Sequence, residues 1–154
     1  NVNLFVSDTK IRFEVTNISL TSKLIDGTFP DYERVIPKTN SKIMEVKTKD
    51  FSSSIDRVAT ISSDKSKAVK FVLENNSLTL TVTNPDAGIA VEKVDVTYES
   101  DDLEVGFNAR YLLDVASQID GDTMTFNLED PGAPALIKDS AHEHTTYVLM
   151  PMRV

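Results

Sequence analysis

The sequence predicts an α+β protein built from two tandem β-α-β-β-β units, with two helices packed on antiparallel sheet. Apolar residues recur with helical spacing near residues 51–59 and 111–119, and each run follows one strand and precedes three. The strands show apolar and polar residues in alternation, as expected for sheets with one buried face. Each unit therefore supplies one helix to cover one sheet face. The two units repeat in architecture, although their residues do not repeat.

Residues 1–37 predict strands followed by an irregular segment. Strands are expected at residues 3–6, 11–15 and 18–24. Proline and turn residues interrupt the pattern up to the polar linker at residues 38–41. This linker predicts a boundary between a first domain, 1–37, and a second domain, 38–154.

The first unit of the second domain begins with a strand at residues 42–47, and Asp50 is expected to cap the following helix. The apolar stripe of this helix comprises Phe51, Ile55, Val58 and Ala59. A hairpin of residues 69–73 and 78–82 and a long strand at residues 89–98 complete the unit.

The second unit has the same order. A strand at residues 103–107 precedes Asn108, which is expected to cap the second helix. The stripe of that helix comprises Tyr111, Leu112, Val115, Ala116 and Ile119. Three strands follow, at residues 123–128, 135–138 and 145–150, and Pro151 then ends the last ladder because it has no N–H to donate.

Composition excludes several classes of protein. The 154 residues suffice for one ordinary domain, or for one domain and part of another. The absence of cysteine excludes disulfides and thiolate metal sites, and it fits a reducing cytoplasm. No apolar run approaches membrane-spanning length. The chain starts at Asn1, so we expect that part of the natural protein precedes it.

Charge is distributed unevenly along the chain, whose net charge is −8. Residues 1–37 carry four basic and five acidic side chains, residues 38–70 carry eight and four, and residues 71–154 carry four and fifteen. One segment is therefore basic within an acidic chain. This pattern argues against a protein that coats DNA, and it permits DNA along one surface.

Candidate metal and catalytic residues are sparse. His142 and His144 lie two apart, but no third ligand stands at a motif spacing, which favours a surface loop. Residues 120–122 lack the later glutamate of a calcium loop and are expected to form a turn. Asp101, Asp102 and Glu104 form the carboxylate cluster that a metal-dependent hydrolase would need. An exposed turn accounts for that cluster better.

Three blocks of sequence resemble the bacterial DNA sliding clamp family, the beta subunit of DNA polymerase III. The C-terminal block reads YVLMPMRV, at residues 147–154. The other two read TSKLIDGTFPDYERVIP, at residues 21–37, and EVGFNARYLLDV, at residues 104–115. Their order and spacing are similar to those of the family from the end of its middle domain through its third domain.

The resemblance implies a DNA-clamp fold and a DNA polymerase processivity factor without an active site of its own. Such a subunit forms a homodimeric ring around duplex DNA in the bacterial cytoplasm. It tethers the polymerase, the clamp loader and repair proteins through linear motifs of the Gln-Leu-x-Leu-Phe kind. It implies no cofactor and no metal. This chain alone is not expected to close the ring, because the partner domain is absent.

The resemblance also assigns residues to three surfaces. The peptide-binding groove comprises Pro30, Arg34, Val35, Asn108, Tyr111, Val148, Met150, Pro151, Met152 and Arg153. The DNA-facing surface comprises Arg57, Lys47, Lys49, Lys65, Lys67 and Arg110. The dimer interface comprises Thr60, Ile61, Asp86 and Glu92. The family's groove has a further half that this chain lacks, and Gly132 falls where some members have a branched aliphatic residue.

Two other functions stay open at this stage. One is the metal-dependent hydrolase with a carboxylate site, and the other is a peptide-binding adaptor without a DNA role.

Overall fold

The computed structural model describes residues 1–62 and 67–154, which form two compact units, Asn1–Asp31 and Tyr32–Val154. The predicted domains, 1–37 and 38–154, remain a prediction. Among the described helices, none is long and apolar enough to cross a membrane.

The first unit is a three-stranded antiparallel meander. Its strands are β1 (Asn3–Val6), β2 (Lys10–Val15) and β3 (Ile18–Lys23), in the order β1-β2-β3. These strands confirm the predicted ones to within one residue at each end. Most of their side chains are exposed, including the apolar Ile18 at 73%. The residues of this unit therefore build a sheet without a core of their own.

The second unit contains both predicted β-α-β-β-β repeats. A 3₁₀ helix at Tyr32–Arg34 precedes them. The first repeat comprises β4 (Lys42–Lys47), α1 (Thr48–Ala59), β5 (Ala68–Glu74), β6 (Ser77–Asn84) and β7 (Gly88–Asp95). The second comprises β8 (Leu103–Asn108), α2 (Ala109–Ala116), β9 (Thr123–Leu128), β10 (Ala135–Asp139) and β11 (Thr146–Leu149). The predicted strand at 89–98 is shorter than expected, because Thr97 leaves β6 and pairs with Glu45 instead.

The two repeats exchange their first strands. The sheets have the orders β11-β10-β9-β4 and β7-β6-β5-β8, so β4 pairs with the second repeat and β8 with the first. All these pairings are antiparallel. Neither repeat can complete its sheet alone, and the second unit is therefore a single folding body.

Each helix begins directly at the end of a strand, and a loop of the other repeat binds its first N–H. Thr48 donates its N–H to the Asp122 carbonyl at 2.9 Å, and Ala109 donates to the Lys67 carbonyl at 2.8 Å. The expected cap at Asp50 is wrong. The N-cap is Lys47, three residues earlier, and it makes no side-chain capping bond. The Asp122 carbonyl accepts the first N–H of the helix in place of a capping side chain.

The cap of α2 at Asn108 is confirmed. The Asn108 side chain accepts a hydrogen bond from the Arg110 N–H at 2.9 Å. Two residues of the predicted stripe differ from expectation. Tyr111 is 55% exposed, and Ile119 is buried but lies beyond the end of the helix at Ala116. A short helix of eight residues cannot turn every apolar side chain inward.

The core lies between the helices and the two sheets. The ring of Phe51 on α1 lies 5.3 Å from that of Phe126 and 6.0 Å from that of Phe71, between ring centroids. Phe107 lies 5.2 Å from Phe71, and all four rings are fully buried. These edge-on and tilted contacts join both sheets through one aromatic cluster.

Candidate functional site

The C-terminal residues connect the two sheets. Strand β11 ends at Leu149, which pairs with Ala135 of β10. After Pro151 the chain crosses to the other sheet, where the Met152 N–H donates to the Gly106 carbonyl at 2.8 Å. We call residues 150–154 the tail. Its position beside the β8–α2 junction brings it near the cap of α2.

Gly106 permits this crossing because it lacks a side chain. A Cβ on Gly106 would lie 2.4 Å from Cγ1 of Val154 and 2.6 Å from the Met152 carbonyl oxygen. Real Cβ atoms do not approach other atoms so closely. The tail therefore packs against bare backbone of β8, and any side chain at this position would displace it.

The predicted groove residues of the second unit present a mixed apolar and polar surface. Tyr111 and Met150 are large apolar side chains that are 55% and 59% exposed. Val148, Pro151 and Met152 are half-buried. A surface of this kind leaves apolar area free for a ligand while part of each residue anchors it to the fold.

Two further residues of the predicted groove lie on or beside the 3₁₀ helix. Arg34 ends this helix, and Val35 follows it with 51% exposure and donates its N–H to the Tyr32 carbonyl. Pro30 belongs to the first unit and is exposed there. Gly132 lies in an exposed turn, where its N–H donates to Asp130 Oδ1 at 2.7 Å.

Sequence reasoning missed a cavity of about 320 Å³ beside the tail. Its lining includes Arg153 and Val154 of the tail, Lys70 of β5 and the hydroxyl-bearing Thr81 and Ser62. Among the described residues, the buried Ser62 hydroxyl has no hydrogen-bond partner. Strand pairing alone could not reveal this cavity, because the tail closes one side of it.

The predicted DNA-facing cations differ in exposure. Lys47, Lys49 and Arg110 are exposed, and Lys67 is half-buried. Lys65 lies outside the described residues. Lys67 and Arg110 line one cleft of about 310 Å³ between the end of α1 and the start of α2.

Acidic side chains offset much of this charge. On α1, Lys49 and Arg57 are balanced by Asp50 and Asp56. The helix surface is therefore close to neutral, and its attraction for phosphates is correspondingly weak.

Arg57 and Glu92 meet, although the sequence assigned them to different surfaces. Arg57 Nε donates to Glu92 Oε1 and Oε2 at 3.0 and 2.9 Å, and Nη2 also bonds Oε1. Ser54 Oγ donates to the same carboxylate at 3.1 Å. The hydrogen bond from Arg57 is the main cause that lowers the pKa of Glu92, and the same bond raises the pKa of Arg57. The pair is ionised at neutral pH.

The other predicted interface residues lie around the end of α1 and the β6–β7 turn. Thr60 is the C-cap of α1, and its hydroxyl donates to the Asp56 carbonyl at 3.1 Å. Ile61 is half-buried against the core, and Asn84 Nδ2 donates to its carbonyl at 2.7 Å. Asp86 is exposed in the β6–β7 turn. One part of the Ile61 side chain thus packs against the core, and the rest stays exposed to solvent.

The histidine segment belongs to a loop, as expected, but two carboxylates join it. Oxygen atoms of Asp120 and Asp139 and a nitrogen of His142 lie within 4.8 Å of one another. His142 Nε2 lies 2.9 Å from Asp120 Oδ2. The buried Asp139 carboxylate accepts hydrogen bonds from the N–H groups of Ala141, Asp120 and Gly121. These bonds, that from Ala141 first, lower the pKa of Asp139, while burial acts in the opposite direction.

This network supports α1. Asp139 holds residues 120–121 in place, and the carbonyls of Gly121 and Asp122 in turn bind the start of α1. Thr48 Oγ1 donates to the Gly121 carbonyl at 2.9 Å, and the Thr48 N–H donates to the Asp122 carbonyl. The three backbone bonds occupy the Asp139 carboxylate. A structural role therefore explains these residues fully.

The alternative carboxylate cluster is dispersed. Asp101 and Asp102 are exposed in the turn before β8. Glu104 pairs with Lys70 Nζ at 2.6 Å on the exposed sheet face. Within the described ranges, these three acids form no group close enough to share a metal ion.

The fold and the crossing tail define a class of protein, a duplicated α+β domain with exchanged strands and an apolar C-terminal surface. The chain belongs to the family of the DNA polymerase III beta subunit, because the model of its C-terminal domain matches residues 33–153. The predicted fold class is thereby confirmed.

Known relatives agree over almost the whole chain. The beta sliding clamp of Caulobacter vibrioides is 52% identical over 153 residues, and that of Escherichia coli K12 is 36% identical over 149. These alignments cover 99% and 97% of this chain and 41% of each relative. A crystal structure of the Bartonella birtlesii clamp bound to griselimycin superposes with a TM-score of 0.95 at 52% identity, covering 99% of this chain and 41% of that one. The chain thus spans about two fifths of the length of its relatives.

Proposed function

We propose that this chain is the C-terminal part of a DNA polymerase processivity clamp, which encircles duplex DNA and tethers the replicative polymerase to it. The observation that carries the proposal is the match to the beta subunit family over residues 33–153, with sliding clamps at up to 52% identity over nearly the whole chain. The function is topological, so no residue here performs covalent chemistry. Its site of action is the bacterial cytoplasm, and domains 1–37 and 38–154 correspond to the end of the middle domain and the third domain.

The tail surface is the tether in this proposal. Tyr111 and Met150 offer exposed apolar area beside the half-buried Val148, Pro151 and Met152. Short peptides with leucine and phenylalanine side chains suit such a surface, since a few buried anchors carry most of the affinity. The Bartonella clamp was crystallised with griselimycin, and a crystal structure of the Caulobacter crescentus clamp holds polyethylene glycol. Both ligands support a binding site on clamps of this family.

The helices face DNA in this proposal, and the open edge at β7 joins the neighbouring subunit of a homodimer. Strand β7 pairs only with β6, and its other edge is free among the described residues. Asp86 and Glu92 supply negative charge there for basic groups of the partner, and Thr60 and Ile61 supply contact area. Weak, sequence-independent attraction from Lys47, Lys49, Lys67, Arg57 and Arg110 lets the ring slide.

The first test is a titration of this chain with a Gln-Leu-x-Leu-Phe peptide, followed by NMR. We expect shifts confined to Arg34, Tyr111 and residues 150–153. The matched control is the same peptide with both leucines and the phenylalanine replaced by alanine, which keeps the length and removes the anchors. If the chain shows no shifts at millimolar peptide, the titration is repeated on the full-length protein. No shifts there would refute the tethering groove.

A second test addresses DNA. The full-length ring should remain on circular DNA and slide off linear DNA of the same sequence. Equal retention on both would favour a peptide-binding adaptor or an ordinary DNA-binding protein. Turnover in a nuclease or phosphatase assay with added divalent metal would favour the hydrolase at Asp101, Asp102 and Glu104.

A further inference from the structure

The ion pair between Arg57 and Glu92 links two surfaces that the proposed function treats separately. Arg57 projects from α1. Glu92 projects from β7 on the sheet face that packs against α1, and its cross-strand partner on that face is the buried Leu80 of β6. Both nitrogens of Arg57 that bond Glu92 point at one carboxylate, and Nη2 also donates to Ser54 Oγ at 3.0 Å. The guanidinium is thus fixed in direction by four hydrogen-bonding contacts.

This pairing reduces what Arg57 can offer to a phosphate. The side chains of Arg57 and Glu92 are 58% and 24% exposed, so the cation still reaches solvent while its counter-charge lies mostly beneath it. A phosphate that approaches Arg57 meets a neutralised pair, in which the Nε and Nη2 donors already bond Glu92 and Ser54. Asp56 lies one residue away on α1 and adds further negative charge.

We propose that Glu92 sets the strength of the contact between Arg57 and DNA, acting as an internal counter-charge that keeps the attraction weak. The proposal rests on the proposed function, since it assumes that α1 faces DNA. It gives Glu92 a role in sliding that does not depend on a neighbouring subunit. A ring that bound phosphates tightly would stop moving along the duplex. An acid paired with the cation keeps the phosphate contact weak.

The decisive variant is Glu92→Gln in the full-length protein. It keeps the size of the side chain and one hydrogen-bond acceptor for Arg57, but it removes the charge. Affinity for a short linear duplex is measured by fluorescence anisotropy over a series of KCl concentrations. We expect several-fold tighter binding, and a plot of log K against log salt that is steeper by about 0.9, the value for one additional phosphate contact.

Glu104→Gln is the matched control. Glu104 pairs with Lys70 on the same sheet but on its other face, so this variant removes the same charge and also frees a cation. It should leave the salt slope unchanged. The double variant Arg57→Gln with Glu92→Gln should bind no more tightly than Arg57→Gln alone, because Glu92 acts through Arg57. Sedimentation of each variant monitors the dimer, because Glu92 also belongs to the proposed interface.

The outcomes separate the inference from the proposed function. A Glu92→Gln ring that keeps the wild-type salt slope overturns the inference, and so does an equal effect of Glu104→Gln. In either case, retention of the wild-type ring on circular DNA still upholds the clamp function. Loss of that retention would refute the clamp function whatever Glu92 does on linear duplex.

Discussion

Gly106→Ala should detach the tail while the rest of the second unit stays folded. The added Cβ would lie 2.6 Å from the Met152 carbonyl oxygen and 2.4 Å from Cγ1 of Val154. The Val154 side chain can rotate away, but the Met152 carbonyl is backbone and can move only with the tail. The substitution therefore tests whether contact with β8 holds the tail in place.

The cost follows from what the tail must give up. Moving it breaks the hydrogen bond from the Met152 N–H to the Gly106 carbonyl, with a net value of about 1 kcal/mol. Overpacking that is only partly relieved costs about 1–3 kcal/mol. We expect a loss of about 1–3 kcal/mol in the free energy of unfolding. Detachment of the tail limits the loss, since it relieves the overlap without disturbing the core.

Urea unfolding and amide hydrogen exchange at Met152 measure the two effects. Protection of that amide should fall, and peptide binding should weaken because the tail supplies much of the proposed groove. Gly132→Ala is the matched control. Its Cβ would meet only Asp130 Oδ1, at 3.4 Å, and the general effect of alanine on the unfolded chain is the same. Unchanged stability and unchanged Met152 protection in Gly106→Ala would refute the proposed packing of the tail.

Three further predictions concern the fold around the surfaces. Phe51→Ala should lower the free energy of unfolding by about 3–5 kcal/mol in urea, because it leaves a cavity beside Phe71 and Phe126; a loss under 1 kcal/mol would contradict the packing. Asn108→Ala should cost about 1 kcal/mol through the lost helix cap, whereas Asn108→Asp keeps the acceptor and should cost less. Asp139 has a lowered pKa in the folded state, so its stabilisation is present at neutral pH and lost as the pH falls through that pKa. Asp139→Asn should melt at a lower temperature at pH 7 and show a smaller decline in acid than the wild type; parallel declines would count against the network.

Local sequence predicted most secondary-structure elements. Alternating apolar residues marked the strands, and the Phe51, Ile55 and Val58 spacing marked α1, because the burial of one face imposes these periods on the chain. The cap at Asn108 could also be predicted from sequence, since its partner, the Arg110 N–H, lies two residues away. The resemblance to sliding clamps also came from sequence alone, and the family match confirmed it.

Contacts between distant segments of the chain could not be predicted from local sequence. The start of α1 was placed at Asp50 because side-chain capping is a local signal, whereas the real partner is the Asp122 carbonyl in the other repeat. The cluster of Asp120, Asp139 and His142 lies within the second repeat, and the pair of Arg57 and Glu92 lies within the first. Each joins residues that are far apart in the sequence, so neither has a local signal.

Residue patterns along the chain predicted two β-α-β-β-β units and an apolar tail. The exchange of β4 and β8 between the sheets, and the crossing of the tail onto Gly106, became visible in the three-dimensional fold. Periodicity indicates which face of an element is buried, but not which element buries it. Pairing partners are chosen by the packing of the whole unit, where one aromatic core joins both sheets.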